Sequence, residues 1–394
     1  MMRNRLINTN GPRNFRTKSF WSASGGTEHF ISVQAQGDLS FIEQIAQVEE
    51  QYAAARLALG ITKETTIFRR IFISDVLNQG TIIRDSSLVQ DTPENPIAVS
   101  IIQQPPLPGA KLCLLAYHFG GDAMFRKRRL SKHDLLVEKN GLRHVWTTGL
   151  CAGETSANAS PFAQTRAIFD DLISTLSDLK GTLRDNCMRT WIYLKDVDVF
   201  YQGMVESRGE LFNDHGLTAD THFIASTGIE GACGHRYDLV AMDAYSNLDL
   251  DQRQISYLND FSRMCPTKDY NVHFERGTRI AYADRAHHFI SGTASIDNKG
   301  QIVHLGDVLR QLDYAIDNVE ALLRSGATDL ASLMHLIVYL RDPTDFSRIE
   351  QRLAERFPDL PMIVVQGAVC RPQWLVEVEG VAIAENNEMA LPRF

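Results

Sequence analysis

Three segments of this chain repeat one pattern: RRIFISD (69–75), RTWIYLKD (189–196) and HLIVYLRD (335–342) each run a β-branched and aromatic stretch into a closing aspartate. Recurrence on this scale predicts three copies of one supersecondary unit rather than one continuous core. Each run has the composition of a buried strand. Ahead of each lies a helical segment, FIEQIAQVEEQYAAARLALG, PFAQTRAIFDDLISTLSDLKG and DVLRQLDYAIDNVEALLRSG, ending at Gly60, Gly181 and Gly326. Glycine there predicts left-handed C-caps. Apolar columns at Val48, Tyr52 and Ala55, and at Ile168 and Leu172, supply one buried face per helix; Tyr314, Asn318 and Ala321 fill those columns less well in the third.

A strand precedes each helix, at HFISVQA (29–35), HVWTTGLCA (144–152) and HHFISGTASI (287–296), and each unit closes on a segment read as a hairpin (96–119, 222–245, 361–384). A second helix is legible in units two and three; in unit one VLNQGTIIRDSSLVQDTPEN gives no clear helix and makes that copy degenerate. The fold class is therefore α+β, three tandem modules of mixed sheet with helices on one face. The expected division is an N-terminal extension (1–27), a degenerate first module (28–119), a linker (120–143), a second module (144–245), a linker (246–286) and a third module (287–394).

Composition narrows the function. Forty Lys plus Arg against 48 Asp plus Glu give a net charge of −8, which disfavours nucleic acid as the partner despite the basic segment FRKRRLSKH (125–133). No apolar run nears the roughly 18 residues of a spanning helix, so no membrane partner is expected. Arg3, Arg5, Arg13, Arg16 and Lys18 without an apolar stretch do not read as a secretory signal, and the expected location is cytoplasmic. Cys113, Cys151, Cys187, Cys233, Cys265 and Cys370 form no Cys-x-x-Cys pair, and His287-His288 are adjacent, so neither a disulfide frame nor a metal site is expected. A small-molecule substrate remains.

The third module resembles the YjgF/RidA (endoribonuclease L-PSP) superfamily through FISGTASID with Gly300, its GDVLRQLDYAIDNVEALLRSGA helix, HLIVYLRD, FPDLP and LVEVEGVAIA. That resemblance implies modules that assemble in threes with clefts between neighbours. Three modules in one chain then imply an intrachain pseudo-trimer, as a monomer or small homo-oligomer. Over residues 187–384 the chain also resembles the chorismatase (FkbO-like) group, through RTWIYL, Tyr201, Arg208, STGI (226–229), QISY (254–257), FERGT (274–278), SGTAS (291–295) and AVCRPQWLVEVEG (368–380). This implies cleavage of chorismate to pyruvate and a hydroxybenzoate without a cofactor. Glu377 matches the family acid, and Cys370 the cysteine of members that form 3-hydroxybenzoate. Imine-hydrolysing RidA members carry an arginine on the strand that here reads PMIVV (361–365), where none stands. An enamine or imine hydrolase, and a noncatalytic small-molecule-binding protein, are the alternatives.

Read from chemistry alone, Glu377 and Glu379 alternate along LVEVEG and so share one strand face. The other modules align apolar Leu114 and Val240 with Glu377, and a carboxylate replacing an apolar residue inside a sheet must be hydrated, paired or used. A substrate with two carboxylates needs forked cations, for which Arg189, Arg208, Arg276 and Arg279 are candidates, one of the last two being expected to face solvent. Tyr201 and Tyr257 are candidate donors; Thr227-Gly228 and Gly292-Thr293 are small enough for a ligand to approach the backbone. Packing accounts equally for a free cysteine, and turn chemistry for the Thr-Gly pairs.

Overall fold

The computed structural model describes residues 14–121, 124–153, 159–232, 234–267 and 272–394. Arg3, Arg5, Arg13 and Cys233 lie outside these. Module one contains β1 (Phe15–Trp21), β2 (Gly26–Gln34), α1 (Phe41–Leu59), β3 (Thr66–Ile73), α2 (Val76–Arg84), β4 (Ala98–Gln103) and β5 (Leu112–Gly121). Module two follows with β6 (Phe125–Arg129), β7 (Asp134–Lys139), β8 (Leu142–Cys151), α3 (Pro161–Asp178), α4 (Leu183–Asn186), β9 (Cys187–Leu194), α5 (Val197–Asp214), β10 (Ala225–Glu230) and β11 (Val240–Asn247). Module three has β12 (Ile255–Tyr257), β13 (Gly277–Ala281), β14 (Arg285–Ala294), α6 (Val308–Ser325), β15 (Leu333–Leu340), α7 (Phe346–Arg356), β16 (Met362–Gln366) and β17 (Val376–Glu385).

The sheets run β1-β2-β5-β3-β4, β10-β9-β11-β8-β7-β6 and β12-β13-β14-β17-β15-β16. Each contains the same four-strand core, with one parallel pair: β3 with β4, β9 with β10, β15 with β16. The α+β assignment and the threefold repeat hold. The closing hairpins do not: the last two strands of each module lie on opposite sides of the central strand, because the connection between them is long enough to cross it. Nor are the segments at 120–143 and 246–286 connectors alone. They carry β6, β7, β12 and β13, which extend sheets two and three outward as β1 extends sheet one. The basic segment becomes an edge strand in which Arg126 and Arg128 face solvent, while Lys127 donates to Thr66 O at 2.8 Å and Arg129 pairs with Asp91 at 2.5 Å.

The aspartates that close the repeated strands are helix caps. Asp75 accepts from Leu77 and Asn78 N at 3.1 Å, Asp196 from Val199 N at 3.2 Å, and Asp342 from Thr344 N at 2.9 Å in the turn before α7. Such caps satisfy amides that have no intrahelical partner. Asp75 makes module one's second helix real, if only nine residues long. Of the three glycines ending the first helices, Gly60 alone is left-handed, at φ 67°; in the others the left-handed residues are Lys180 and Ala327. Gly181 and Gly326 are small for another reason: a Cβ would come within 2.8 Å of Leu248 Cδ2 in one case and 2.7 Å of His288 Cδ2 in the other.

Helices cover the outer faces, α1 burying its own Val48, Tyr52 and Ala55 and α3 its Ile168 and Leu172. On α6 the buried face turns to Leu312, Ala315, Ile316 and Val319, and buried Asn318 donates to Ala294 and Ile296 O. The inner faces of all three sheets share one core. Ring contacts link every pair of modules: Phe68 with Trp146 at 5.0 Å, Tyr245 with Phe289 at 5.3 Å and Phe30 with His335 at 5.1 Å. No helix among the described residues is long and apolar enough to cross a membrane.

Candidate active site

Where module two meets module three, a cleft of about 580 Å³ opens. Eight residues singled out from sequence line it: Tyr201 and Arg208 from α5, Thr227 and Gly228 from β10, Arg276 ahead of β13, Gly292 of β14, and Cys370 and Glu377 around the start of β17. The two modules are pinned beside it. Glu230 of β10 accepts from Ala368 N at 2.8 Å while its own N–H donates to Ala368 O at 3.1 Å, which fixes the approach to Cys370; Arg341 pairs with Asp198 at 2.8 Å.

Strand register identifies what stands opposite Glu377 in the other modules. Glu377 pairs with Tyr339, and the matching positions are Ala241 opposite Tyr193 and Cys113 opposite Phe72. The counterparts are thus Cys113 and Ala241, one residue from Leu114 and Val240, and still not acidic. By the same register Glu379 matches Asp243 and Leu115.

Glu377 is 5% exposed. Burial and the adjacent Glu379 push its carboxyl up to about 8 against the pull of Arg276 and Arg189, so it carries a proton at neutral pH. Gly292 makes room for it: a Cβ there would fall 2.8 Å from Glu377 Cδ and 3.0 Å from Thr227 Cγ2. Cys370 meets Tyr201 through a side-chain hydrogen bond, and burial together with Glu377 raises its thiol to about 12, so it is a neutral thiol and not a thiolate nucleophile.

Three arginines line the cleft. Arg208 reaches Ser226 Oγ at 3.4 Å, Arg276 donates to Cys265 O at 3.2 Å, and Arg371 donates to Gly300 O at 3.2 Å while lying over the Trp374 ring. All three line the cleft, where Glu377 is the sole acidic residue among the described lining residues. Arg371 was not singled out from sequence, although it follows Cys370 directly; nor were Ser226, Phe274 and Trp374.

Three sequence expectations change. Arg189 lies behind the cleft, paired with Glu379 at 2.6 Å, and does not line it. Tyr257 stacks on His222 at 4.8 Å on the short edge strand β12, away from the cleft, because that strand forms the outer border of its sheet. Thr293 turns its hydroxyl to Ser291 O at 2.9 Å and stays inside the sheet. Of the two arginines flanking Gly277-Thr278, Arg276 lines the cleft while Arg279 pairs with Glu388 at 3.8 Å, in keeping with one of them facing away. The two Thr-Gly segments also do not offer the groups expected of them: Gly292 N donates to Thr227 Oγ1 at 2.8 Å, and the same hydroxyl accepts from Arg189 and donates to Glu379. These atoms hold the cleft wall together.

The chain is similar to known proteins in sequence and in fold. The Endoribonuclease L-PSP family model matches residues 279–384. A 3-hydroxybenzoate synthase from Streptomyces hygroscopicus is 26% identical over 256 residues, covering 59% of this chain and 73% of that protein. A chorismatase from Streptomyces rapamycinicus is 28% identical over 228 residues, 52% of this chain and 66% of the relative. RutC family protein PH0854 from Pyrococcus horikoshii is 33% identical over 100 residues, 25% of this chain and 79% of its own length. A chorismatase crystal structure superposes with a TM-score of 0.61 at 18% identity, over 81% of this chain and 93% of the other, which is a likeness of fold. With the family model matching the module that carries Glu377 and a relative of 33% identity matched over 79% of its length, the chain belongs to the YjgF/RidA (endoribonuclease L-PSP) superfamily.

Proposed function

We propose that the cleft binds chorismate and cleaves it to pyruvate and 3-hydroxybenzoate. The observation that carries this reading is a protonated carboxyl, Glu377, buried in a cleft whose other charged lining residues are arginines. Arg208, Arg276 and Arg371 have the donors to hold two carboxylates. Glu377 then gives its proton to the enolpyruvyl methylene carbon, which becomes the methyl group of pyruvate, and positive charge develops on the neighbouring ether carbon. The bond from the ether oxygen to the ring carbon breaks so that this oxygen leaves as the keto oxygen of pyruvate, and the neighbouring ring hydroxyl moves onto the vacated carbon. A general acid must be protonated at working pH and weak enough to hold that proton until the substrate arrives, which a value near 8 satisfies. The two products together contain the atoms of chorismate, so the ring returns a proton as it aromatises and no external oxidant or reductant enters the balance.

Cys370 is the group that favours hydroxybenzoate over a water-added dihydrodiol. As a neutral thiol beside Glu377 it fills the space a solvent molecule needs next to the ring. The relatives named for chorismatase and 3-hydroxybenzoate synthesis support the same substrate. Imine hydrolysis is disfavoured because β16 reads MIVVQ and brings no arginine. Incubating the protein with chorismate and measuring pyruvate together with the aromatic acid tests the proposal; absence of pyruvate above background removes it.

A further inference from the structure

Behind the floor of the cleft lies a buried charge cluster to which all three modules contribute. Arg70 of β3 pairs through Nη2 with Asp243 of β11 at 3.1 Å and through Nη1 with Glu379 of β17 at 3.7 Å. Arg189 of β9 holds the other oxygen of Glu379 at 2.6 Å. These four side chains are no more than 2% exposed. Two cations and two carboxylates sum to zero. The groups around them add no charge: both guanidiniums lie over the Trp191 ring, Trp191 Nε1 and Tyr339 Oη donate to Glu379 Oε1 at 3.0 and 2.9 Å, and His335 is held neutral, down to about 3, by burial and by the two arginines.

Glu377 stands two residues from Glu379 on the same face of β17. The charged groups facing it are Glu379 on its own strand, Arg189 from β9 and Arg276 from the segment ahead of β13, with Arg208 of α5 and Arg371 of the β16–β17 connection across the cleft. Every one belongs to module two or three. Without Arg70, Asp243 would leave one uncompensated negative charge one step behind this set.

We propose that the charge balance of this cluster, completed by Arg70 from module one, sets the proton affinity of Glu377. Arg70 touches neither the cleft nor a substrate placed in it, and is a positioning residue. Module one, with Cys113 and Leu115 where module three has its two acids, thus serves Glu377 by neutralising Asp243, which occupies in module two the place of Glu379. The inference rests on Glu377 being the acid of the reading above.

The test is the titration midpoint of Glu377, read without substrate from its carboxyl infrared or carbon-13 signal, identified by its loss in Glu377→Gln. Asp243→Asn leaves the cluster with one net positive charge and lowers the midpoint by roughly half to one pH unit, the order expected of one charge at an effective interior dielectric of about 20. Adding Arg70→Met to Asp243→Asn restores neutrality and returns the midpoint to its native value. Asp243→Ser applies the same charge change if the Asn variant does not fold. An unmoved midpoint in the single variant, or a double variant that keeps the single variant's value, overturns the inference. The alkaline limb of pyruvate release reports the reaction separately. A protein that turns over no chorismate but whose midpoint follows the cluster charge loses the reaction and keeps the linkage, whereas the converse pattern loses the linkage alone.

Discussion

The junction of modules two and three and the junction of modules one and two are built alike and differ at one decisive position. In the first, Thr227 of β10 donates to Glu379 of β17; in the second, Ser100 of β4 donates to Asp243 of β11 at 2.6 Å. Register makes Thr227 and Ser100 equivalent, and Glu379 and Asp243 equivalent. Two residues before each acid, one junction has Glu377 and the other Ala241. At the remaining junction the same places hold Ile363, Leu115 and Cys113. A hydroxyl-bonded buried carboxylate is therefore interface architecture, and what converts it into a candidate catalytic device is a second carboxyl, unpaired and facing a cleft. Like charge beside burial keeps that second carboxyl protonated.

The largest effect is expected from erasing that difference. Glu377→Gln keeps shape and removes the acid, so pyruvate release should fall about 10²- to 10⁴-fold while chorismate still binds. In the parent, activity should decline as pH rises through about 8, where Glu377 loses its proton. Stability should move the other way. The folded carboxyl titrates above its unfolded value of 4.5, so stability present below 4.5 is lost as pH rises toward about 8. Glu377→Gln lacks this loss and should melt above the parent at pH 8, with the gap closing near pH 5. A variant that melts lower than the parent at both pH values would break the account of Glu377 as a buried neutral acid.

Gly292→Ala comes next. Its methyl would occupy space held by Glu377 and Thr227, whereas at Gly228 a Cβ meets Tyr201 and Met204 at an ordinary 3.4 Å. Displacing the carboxyl should cost about 10- to 100-fold in turnover, with destabilisation of about 1–3 kcal/mol. Gly228→Ala should cost far less in both. Equal losses at the two glycines would mean that the Glu377 position is not held by close backbone approach.

Much of this contrast could be read from the sequence because it depends on local pattern. Alternation placed Glu377 and Glu379 on one face, and the recurring aspartates marked the strand–helix turns that they cap. Contacts between distant segments left no such pattern. Arg70 reads as an ordinary residue of a repeated strand, and only the meeting of three sheets makes it the counterion of Asp243 and Glu379. Arg189 was legible as a useful cation but not as one already paired, since its partner is 190 residues away. Strand β6 escaped because an edge strand docked by lysine and arginine has the composition of a solvated loop. The crossing of the last two strands was hidden for a similar reason: two apolar runs in succession look like a hairpin whether or not a third strand lies between them.

Cys370→Ala should sharpen the chemistry more than the rate. Cleavage to pyruvate continues because Glu377 and the arginines remain, and the product ratio shifts several-fold from hydroxybenzoate toward the dihydrodiol as water enters the vacated space. Chromatography of the ring products checks this. An unchanged ratio would leave the thiol a packing group.

The finest test compares the two hydroxyls directly. Thr227→Val and Ser100→Ala each remove a hydrogen bond to a buried carboxylate, and each should cost about 1–3 kcal/mol in stability. Their effects on turnover should separate. Thr227 Oγ1 also accepts from Arg189 and from Gly292 N, so its loss leaves the Gly292 amide without its partner on the wall that supports Glu377. Ser100 serves Asp243, which keeps Arg70, Gly149 N and Tyr193 as donors. Neither substitution changes the charge of the buried cluster, so the alkaline limb should stay in place for both. Thr227→Val should lose a few-fold in kcat and Ser100→Ala almost none, measured on proteins with matched melting temperatures. If Ser100→Ala slows turnover as much as Thr227→Val, the hydroxyl at the module one–two junction supports catalysis through the shared core, and the division between architectural and catalytic carboxylates would have to be redrawn around Asp243 as well as Glu377.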